Sequence, residues 1–93
     1  MLKTLEELIK LIRERKKNSP DNSYTKKLLE NKNFSTDKVK EEIGELIESV
    51  ENNSNKIHEA ADVLYHLVVY LEANNINIEA VSYTHLRAHE TDR

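Results

Sequence analysis

The stretch "KIHEAADVLYHLVVYLEAN", residues 56–74, decides the fold, because its apolar side chains nearly encircle the helix that it predicts. A helix that is apolar on all sides is normally buried among other helices. A polar stripe interrupts it: Glu59 and Asp62 are three residues apart, and His66 follows about one turn later. Acidic side chains on a buried helix are costly unless they are paired, so this stripe is a candidate functional site.

A second long helix precedes this one, over about residues 37–51. Its apolar side chains cluster on one face: Val39, Ile43, Leu46, Ile47 and Val50. The connection "ENNSN", residues 51–55, is rich in residues that tolerate turns, and a short connection between long helices predicts antiparallel neighbours. Because one chain supplies two long inner helices, we expect an all-α helical bundle whose four-helix core is completed by dimerisation.

Two further helices are predicted near the N-terminus. The first covers residues 4–17, where Thr4 and Glu7 fit a capping box at the helix start. The second is short and covers residues 24–31. Three of its side chains are predicted to point inward: Tyr24, Leu28 and Leu29.

Two breaks are predicted around the short helix. The segment "NSPDNS", residues 18–23, is rich in turn-forming residues and separates it from the first helix. Residues 33–36 form the other break, and Thr36 can N-cap the long helix that follows. No strand is predicted anywhere in the chain.

Size and composition exclude several classes of protein. A chain of 93 residues is one domain at most, and its core is marginal without a partner. The net charge of −3 gives no reason to expect nucleic acid, and the absence of cysteine excludes disulfides and thiolate metal sites. No apolar run reaches the roughly 20 residues of a membrane span, and no signal peptide is visible. These features predict a cytoplasmic protein without a membrane or nucleic-acid partner.

Acidic pairs on the two long helices are predicted to face each other. Glu42 and Glu45 are three residues apart on one helix and match Glu59 and Asp62 on the other. Four converging carboxylates would destabilise a partly buried site unless a cation neutralised them. Oxygen ligands favour Mg²⁺, with Mn²⁺ as an alternative, over zinc. Gly44 is expected to let a helix or a ligand approach this site closely.

Some of these residues also have simpler structural explanations. Glu41 and Glu48, taken alone, are typical of a solvated helix face. A lone His66 is more typical of a hydrogen-bonded core histidine than of a ligand or a base. The stripe formed by Glu59 and Asp62 within an apolar helix is harder to explain in this way.

The combined pattern resembles a known family. "EEIGE", residues 41–45, followed by "EAAD", residues 59–62, is similar to the EExxE and ExxD signature of the MazG-like, all-α nucleotide pyrophosphohydrolases. "SYTKKLLE", residues 23–30, and "DVLYH", residues 62–66, resemble segments of the phosphoribosyl-ATP pyrophosphohydrolase family within that group. The resemblance covers residues 2–81.

The resemblance implies Mg²⁺-dependent hydrolysis of phosphoribosyl-ATP to phosphoribosyl-AMP and pyrophosphate, the second step of histidine biosynthesis. It also implies the metal ligands: Glu42, Glu45, Glu59 and Asp62. The catalytic residues would be Glu41 and Glu42, with Glu41 orienting or deprotonating the attacking water. The homodimer is expected from the number of long helices, and the sequence leaves open the metal count and the residues that recognise the base and the second ribose.

Basic residues are the candidates for binding the substrate phosphates. Lys38 lies one turn before Glu42 and would contact phosphate. Three residues are weaker candidates for binding phosphate: Lys26, Lys27 and Arg13. His66 is a further candidate site residue.

Two other functions stay open at this point. A MazG-like house-cleaning enzyme that hydrolyses ordinary or damaged nucleoside triphosphates would share the metal site and differ in its base pocket. A non-catalytic helical dimerisation module would explain the apolar helix but not its acidic stripe. The "SYTKKLLE" segment favours the histidine-pathway branch.

The C-terminal residues differ in composition from the rest, since they contain neither Lys nor Asn, which are both frequent before them. "VSYTHLRAHET", residues 81–91, is the translation of a DNA string that resembles a transposase-end sequencing adapter. We interpret residues 1–81 as a C-terminally truncated helical domain and residues 82–93 as an adapter-derived, non-native tail. The histidine pair in this tail is therefore left out of the candidate site.

Overall fold

A computed structural model describes residues 2–18 and 23–81, and within these ranges the chain is helical with no strand. Five helices follow one another: α1 (Leu2–Asn18), α2 (Tyr24–Glu30), α3 (Lys32–Asn52), α4 (Lys56–Ala73) and α5 (Ile78–Ala80). The predicted all-α class is confirmed. The proposed tail, residues 82–93, lies outside the described residues. None of the described helices is both long enough and apolar enough to cross a membrane.

The long helices α3 and α4 form a helical hairpin, which packs together more extensively than any other pair of helices. Their connection contains Asn53 and Asn55, which both adopt left-handed backbone conformations (φ 52° and 48°). Asparagine tolerates this conformation better than most residues, so the sequence suits the tight reversal. The amide of Ser54 donates to the carbonyl of Ser49 (2.9 Å) and closes the end of α3. The loop and the paired helices agree with the sequence prediction.

The start of α3 differs from the prediction. Asn31 accepts a hydrogen bond from the amide of Phe34 (3.0 Å) and thereby N-caps a helix that begins at Lys32. The predicted break at residues 33–36 is therefore wrong, and Thr36 lies inside α3, where its hydroxyl donates to the carbonyl of Lys32 (2.9 Å). The reason is that Asn31 ends α2 and caps α3 at once, which leaves no room for a longer break.

Two other details near the N-terminus also differ. Because α1 begins at Leu2, Thr4 lies inside the helix and its predicted capping box with Glu7 is wrong. The short helix α2 is capped instead by Ser23, whose hydroxyl accepts from the amide of Lys26 (3.3 Å). Leu28 and Leu29 point inward as predicted, whereas Tyr24, at the first position of α2, stays 43% exposed.

The hydrophobic core lies at one end of the hairpin. Six side chains from α1, α2 and the second half of α4 are buried: Ile12, Leu28, Leu29, Val68, Val69 and Ala73. Arg13 ties the same end together, since its guanidinium donates to Glu72 (2.8 Å) and to both oxygens of Glu79 (2.7 and 2.9 Å). This ion-pair cluster joins α1, α4 and α5 beside the core.

The other end of the hairpin exposes apolar side chains. Six of them are between 37% and 89% exposed: Ile43, Ile47, Val50, Ile57, Leu64 and Leu67. The expectation that α4 is buried all round is therefore wrong for the single chain. The reason is that α1 and α2 pack against Val68, Val69 and Ala73 in the second half of α4 and leave the loop side of the hairpin uncovered. We call these six residues the open apolar face.

Candidate metal centre

The helical hairpin places two acidic pairs opposite each other. Glu42 and Glu45 lie on α3, and Glu59 and Asp62 lie on α4, each pair on one helical face because of its three-residue spacing. Carboxylate oxygens of Glu42, Glu45 and Glu59 lie within 4.8 Å of one another. Three carboxylates at this separation repel one another and can share a cation.

Glu42 is the most buried member of this group, with 6% of its surface exposed. Its Oε2 atom is buried and has no hydrogen-bond partner among the described residues, while its Oε1 atom lies 3.8 Å from the ammonium of Lys38. Burial raises the pKa of Glu42, and the negative charge of Glu45 raises it further. A buried carboxylate oxygen without a partner is costly, so this atom is where a cation would be most stabilising.

The electrostatics of Glu59 are similar. Its partial burial raises its pKa, and the nearby charge and hydrogen bonding of Glu45 act in the same direction. The two raised pKa values have a shared cause, which is negative charge concentrated where water is partly excluded. A donor set made of carboxylate oxygens suits Mg²⁺ or Mn²⁺.

Asp62 belongs to a second group that sequence reasoning missed. Ligand atoms of His58, Glu59 and Asp62 also lie within 4.8 Å of one another, so Glu59 is common to both groups. The Nε2 atom of His58 lies 3.4 Å from Asp62 Oδ2 and 4.0 Å from Glu59 Oε1. The signal in the sequence was the four-residue spacing of His58 and Asp62, which puts both on one helical face.

Lys38 and Glu41 form an ion pair at the edge of the centre. The ammonium of Lys38 lies 3.1 Å from Glu41 Oε2, and hydrogen bonding to Glu41 raises the pKa of Lys38. The Glu41 side chain is about half exposed and belongs to neither group of candidate metal ligands. Lys38 also lies 3.8 Å from Glu42 Oε1, so its ammonium is close to both glutamates of the "EE" pair.

His66 is buried and uses both ring nitrogens. Its Nδ1 lies 2.8 Å from the backbone carbonyl of Asp62, which can only accept, so Nδ1 carries the proton. Its Nε2 then accepts from the hydroxyl of Tyr24 (2.8 Å). The structure thus places His66 as a link between α2 and the α4 turn that carries Asp62.

The weaker phosphate candidates lie in different surroundings. Arg13 is held by Glu72 and Glu79, and Glu72 lies ten residues beyond Asp62, or about 15 Å along α4. The structure therefore does not bring Arg13 to the candidate metal centre.

The two lysines of α2 have other contacts. The ammonium of Lys27 lies over the ring of Phe34, 4.8 Å from its centroid. Lys26 is half-buried on the same helix, where its amide donates to the Ser23 cap.

Gly44 does not have the predicted role within one chain. A Cβ atom at this position would have nothing within 4 Å among the described residues. No helix and no loop of the described chain approaches Gly44 closely, so the prediction is wrong for a helix of the same chain, while close approach of a ligand stays a prediction. The glycine is simply an exposed residue of α3.

A polar groove of about 360 Å³ continues from the carboxylates toward the hairpin loop. Its lining combines acidic, hydroxyl and amide side chains: Glu45, Glu48, Ser49, Asn52, Ser54, Asn55 and Glu59. Because it shares Glu45 and Glu59 with the candidate metal centre, a ligand bound there would lie beside the cation.

Fold and site together define an all-α protein with a carboxylate cluster on a helical hairpin. The profile of the phosphoribosyl-ATP pyrophosphohydrolase family matches residues 5–89 of the chain. The chain therefore belongs to the phosphoribosyl-ATP pyrophosphohydrolase family, as its motifs predicted.

Relatives of known name are similar over most of the chain. The phosphoribosyl-ATP pyrophosphatase of Halobacterium salinarum is 37% identical over 83 residues, which cover 83% of this chain and 87% of the relative. The protein of that name from Methanosarcina acetivorans is 36% identical over 86 residues, covering 87% and 83%. The histidine biosynthesis trifunctional protein of Kluyveromyces lactis is 40% identical over 74 residues, which are 80% of this chain and 9% of the relative. No solved structure matches the chain significantly.

Proposed function

We propose that this chain hydrolyses phosphoribosyl-ATP to phosphoribosyl-AMP and pyrophosphate, in the cytoplasm, as the second step of histidine biosynthesis. Membership of the family supports the substrate and the reaction. The observation that carries the proposal is the carboxylate cluster, in which the buried Oε2 of Glu42 has no partner among the described residues. A module that served only for dimerisation would have no use for such a group.

The residues present fit a divalent cation. Glu42, Glu45, Glu59 and Asp62 would hold Mg²⁺, or Mn²⁺ as an alternative, because oxygen ligands suit both ions. When bound, such an ion neutralises phosphate charge and lowers the pKa of coordinated water. The buried, unpartnered oxygen of Glu42 supports this assignment, since a cation would satisfy it.

The chain's own side chains would divide the remaining work. Lys38 lies beside the carboxylates, 3.1 Å from Glu41 Oε2, and would contact a substrate phosphate. The Glu41 carboxylate at the edge of the centre can orient the attacking water and accept its proton. Glu42 contacts the same lysine and would position the cation from the buried side.

We also propose that the working form is a homodimer. The open apolar face contains six exposed aliphatic side chains on the hairpin, and Ile57 is 89% exposed. Aliphatic side chains are stabilised by about 25 cal/mol for each Å² removed from water, so a second copy packed there would gain stability. The two hairpins would then build the four-helix core that the sequence predicts.

The test is pyrophosphate release by the purified chain. Phosphoribosyl-ATP is compared with the four standard nucleoside triphosphates, with Mg²⁺ and with a chelator. We expect Mg²⁺-dependent release from phosphoribosyl-ATP and a loss of at least about 100-fold in Glu42→Gln, since one buried charge is removed from the site. Glu51→Gln, an exposed residue of the same helix, is the matched control and should keep full activity.

Each other outcome contradicts a defined part of the proposal. Release from the standard triphosphates alone would move the chain to the house-cleaning branch. Release that persists in the chelator would contradict the metal assignment. A chain that is folded and dimeric by light scattering, yet inactive on every substrate, would favour the non-catalytic module.

A further inference from the structure

We propose that the exposed ring of Tyr24 is a stacking surface for the purine base of the substrate. This inference rests on the proposed function, because it names how the base of that substrate is recognised. It assigns a specificity-determining role to the short helix α2, which supplies none of the candidate metal ligands among the described residues.

Tyr24 is the one exposed aromatic residue in the part of the chain that the structure describes. The aromatic residues around it are half-buried and have other contacts. Phe34 has the ammonium of Lys27 over its ring, 4.8 Å from the centroid, and the hydroxyl of Tyr65 shares a hydrogen bond with that of Thr25. Tyr24 is therefore the member of this aromatic cluster that a flat ligand can reach.

The orientation of the Tyr24 ring is fixed, although the residue is exposed. Its hydroxyl donates to Nε2 of the buried His66 (2.8 Å). The rings of Phe34 and His66 lie nearly perpendicular to it, at 88° and 77°, and the ring of Tyr65 lies nearly parallel, with 6.5 Å between the centroids. A single exposed apolar residue needs no explanation, but a ring held in place by four contacts is preorganised for binding.

The charges around Tyr24 favour a nucleotide over an apolar partner. Burial raises the pKa of Tyr24, the positive charge of Lys38 acts against this rise, and the negative charges of Glu42 and Glu41 add to it. Tyr24 therefore lies within electrostatic reach of the lysine that would contact phosphate and of a carboxylate that would hold the cation. A bound nucleotide needs these same three neighbours for its base, its phosphates and its cation.

Stacking chemistry defines the class of base. Every nucleobase has a flat π face, and stacking on an aromatic side chain stabilises a bound base without reading its edge. A purine covers more of the tyrosine ring than a pyrimidine does, so the ring favours purine nucleotides. This preference agrees with the adenine of the proposed substrate.

The first test measures binding without turnover, in the full chain with Mg²⁺. The chain contains no tryptophan, so Tyr24→Trp introduces one indole whose fluorescence a stacked base quenches. The probes are AMP, CMP and ribose 5-phosphate, none of which has an anhydride bond to hydrolyse. Tyr70→Trp, on α4 about 12 Å beyond Asp62, is the matched control. We expect AMP to quench Tyr24→Trp and to bind at least about threefold more tightly than CMP, since stacking is stronger for a purine. Ribose 5-phosphate should not quench it, and no probe should quench Tyr70→Trp.

The second test separates the ring from its hydroxyl by steady-state kinetics on phosphoribosyl-ATP. Tyr24→Leu should raise KM at least about fivefold, which corresponds to the loss of one base stacked on an aromatic ring. The value of kcat should change less than about twofold, because stacking is the same in the bound substrate and in the transition state. Tyr24→Phe keeps the ring and loses the hydrogen bond to His66, so it should restore the KM that Tyr24→Leu loses.

The contrary outcomes are distinct. Absence of quenching by AMP, or equal quenching by all three probes, would overturn the stacking surface. A KM raised as much in Tyr24→Phe as in Tyr24→Leu would assign Tyr24 a structural role through its hydroxyl. Quenching of Tyr24→Trp by increasing protein concentration alone would show that a second copy covers the ring. Purine-selective quenching in a chain that does not hydrolyse phosphoribosyl-ATP would overturn the proposed function and leave the stacking surface standing.

Discussion

The two halves of α4 both contain apolar side chains but lie in different surroundings. In the second half, Val69 is fully buried against α1 and α2, and Arg13 adds ion pairs to Glu72. In the first half, Ile57 is 89% exposed, and the acidic side chains face those of α3. One half is stabilised by packing within the chain, whereas the other holds repelling charges and uncovered apolar surface. We infer that the first half depends on a cation and a partner that the second half does not need.

The largest effect is expected at the core end. Leu28→Ala removes a side chain that is 0% exposed, so we expect it to lower the free energy of unfolding by about 2–5 kcal/mol. Urea unfolding followed by circular dichroism measures the change. Leu64→Ala, on the half-exposed side of α4, is the comparison and should cost less than about 0.5 kcal/mol in a dilute, monomeric sample.

The same two variants also test the proposed dimer. If a second copy covers the open apolar face, Leu64→Ala should lower the midpoint of dimer dissociation, as measured by light scattering over a range of concentrations. Equal and concentration-independent losses for Leu28→Ala and Leu64→Ala would contradict the division of α4 into two halves.

The ion-pair cluster at the core end should give the next largest effect. Arg13→Met leaves Glu72, which is 8% exposed, without its guanidinium partner. We expect a loss of about 1–2 kcal/mol in the free energy of unfolding, because Glu72 is buried while Arg13 and Glu79 are screened by solvent. Arg15→Met, on the same helix, is the matched control. A loss of the same size in both variants would mean that the cluster adds nothing specific.

An effect of opposite sign is expected in the other half of the hairpin. Gly44→Ala should stabilise the single chain by about 1 kcal/mol, because alanine favours a helix and nothing described lies within 4 Å of the new Cβ. Thermal unfolding at low protein concentration measures it. Destabilisation that grows with protein concentration would show instead that a second copy packs against Gly44.

The smallest effect concerns pH, and its sign differs between the two ends. The pKa values of Glu42 and Glu59 are raised above 4.5. In a chelator, their contribution to the free energy of unfolding is therefore present below pH 4.5 and is lost as pH rises through the raised values. Arg13 lowers the pKa of Glu79 to about 2, so its contribution is present above pH 4.5 and is lost as pH falls toward 2.

Denaturant unfolding between pH 4 and 7 measures the effect of the carboxylate cluster. Stability in the chelator should fall over this range, and Mg²⁺ should reverse the fall because it binds the deprotonated carboxylates. Glu42→Gln should flatten the pH dependence, and Glu51→Gln should not change it. If stability in the chelator rose with pH instead, the carboxylates of the cluster would not destabilise the folded chain.

Several features could be predicted because they depend on local spacing. The three-residue spacing of Glu42 with Glu45 predicted a shared face, and the family motifs predicted the family that the profile match confirms. The helix boundaries were less accurate. The start of α3 at Lys32 depends on Asn31, which can serve as a cap, a turn residue or a surface residue with equal ease.

The sequence by itself determined the helical class, the acidic pairs and the family, because each depends on residues within a few turns of one another. Only the tertiary structure decided which groups meet over long separations. Tyr24 bonds to His66 across 42 residues, and Arg13 bonds to Glu79 across 66. The structure also showed that the first half of α4 carries exposed apolar side chains, with Ile57 at 89% exposure. Burial and long-range pairing depend on where α1 and α2 pack against the hairpin, and no local pattern in the sequence encodes that.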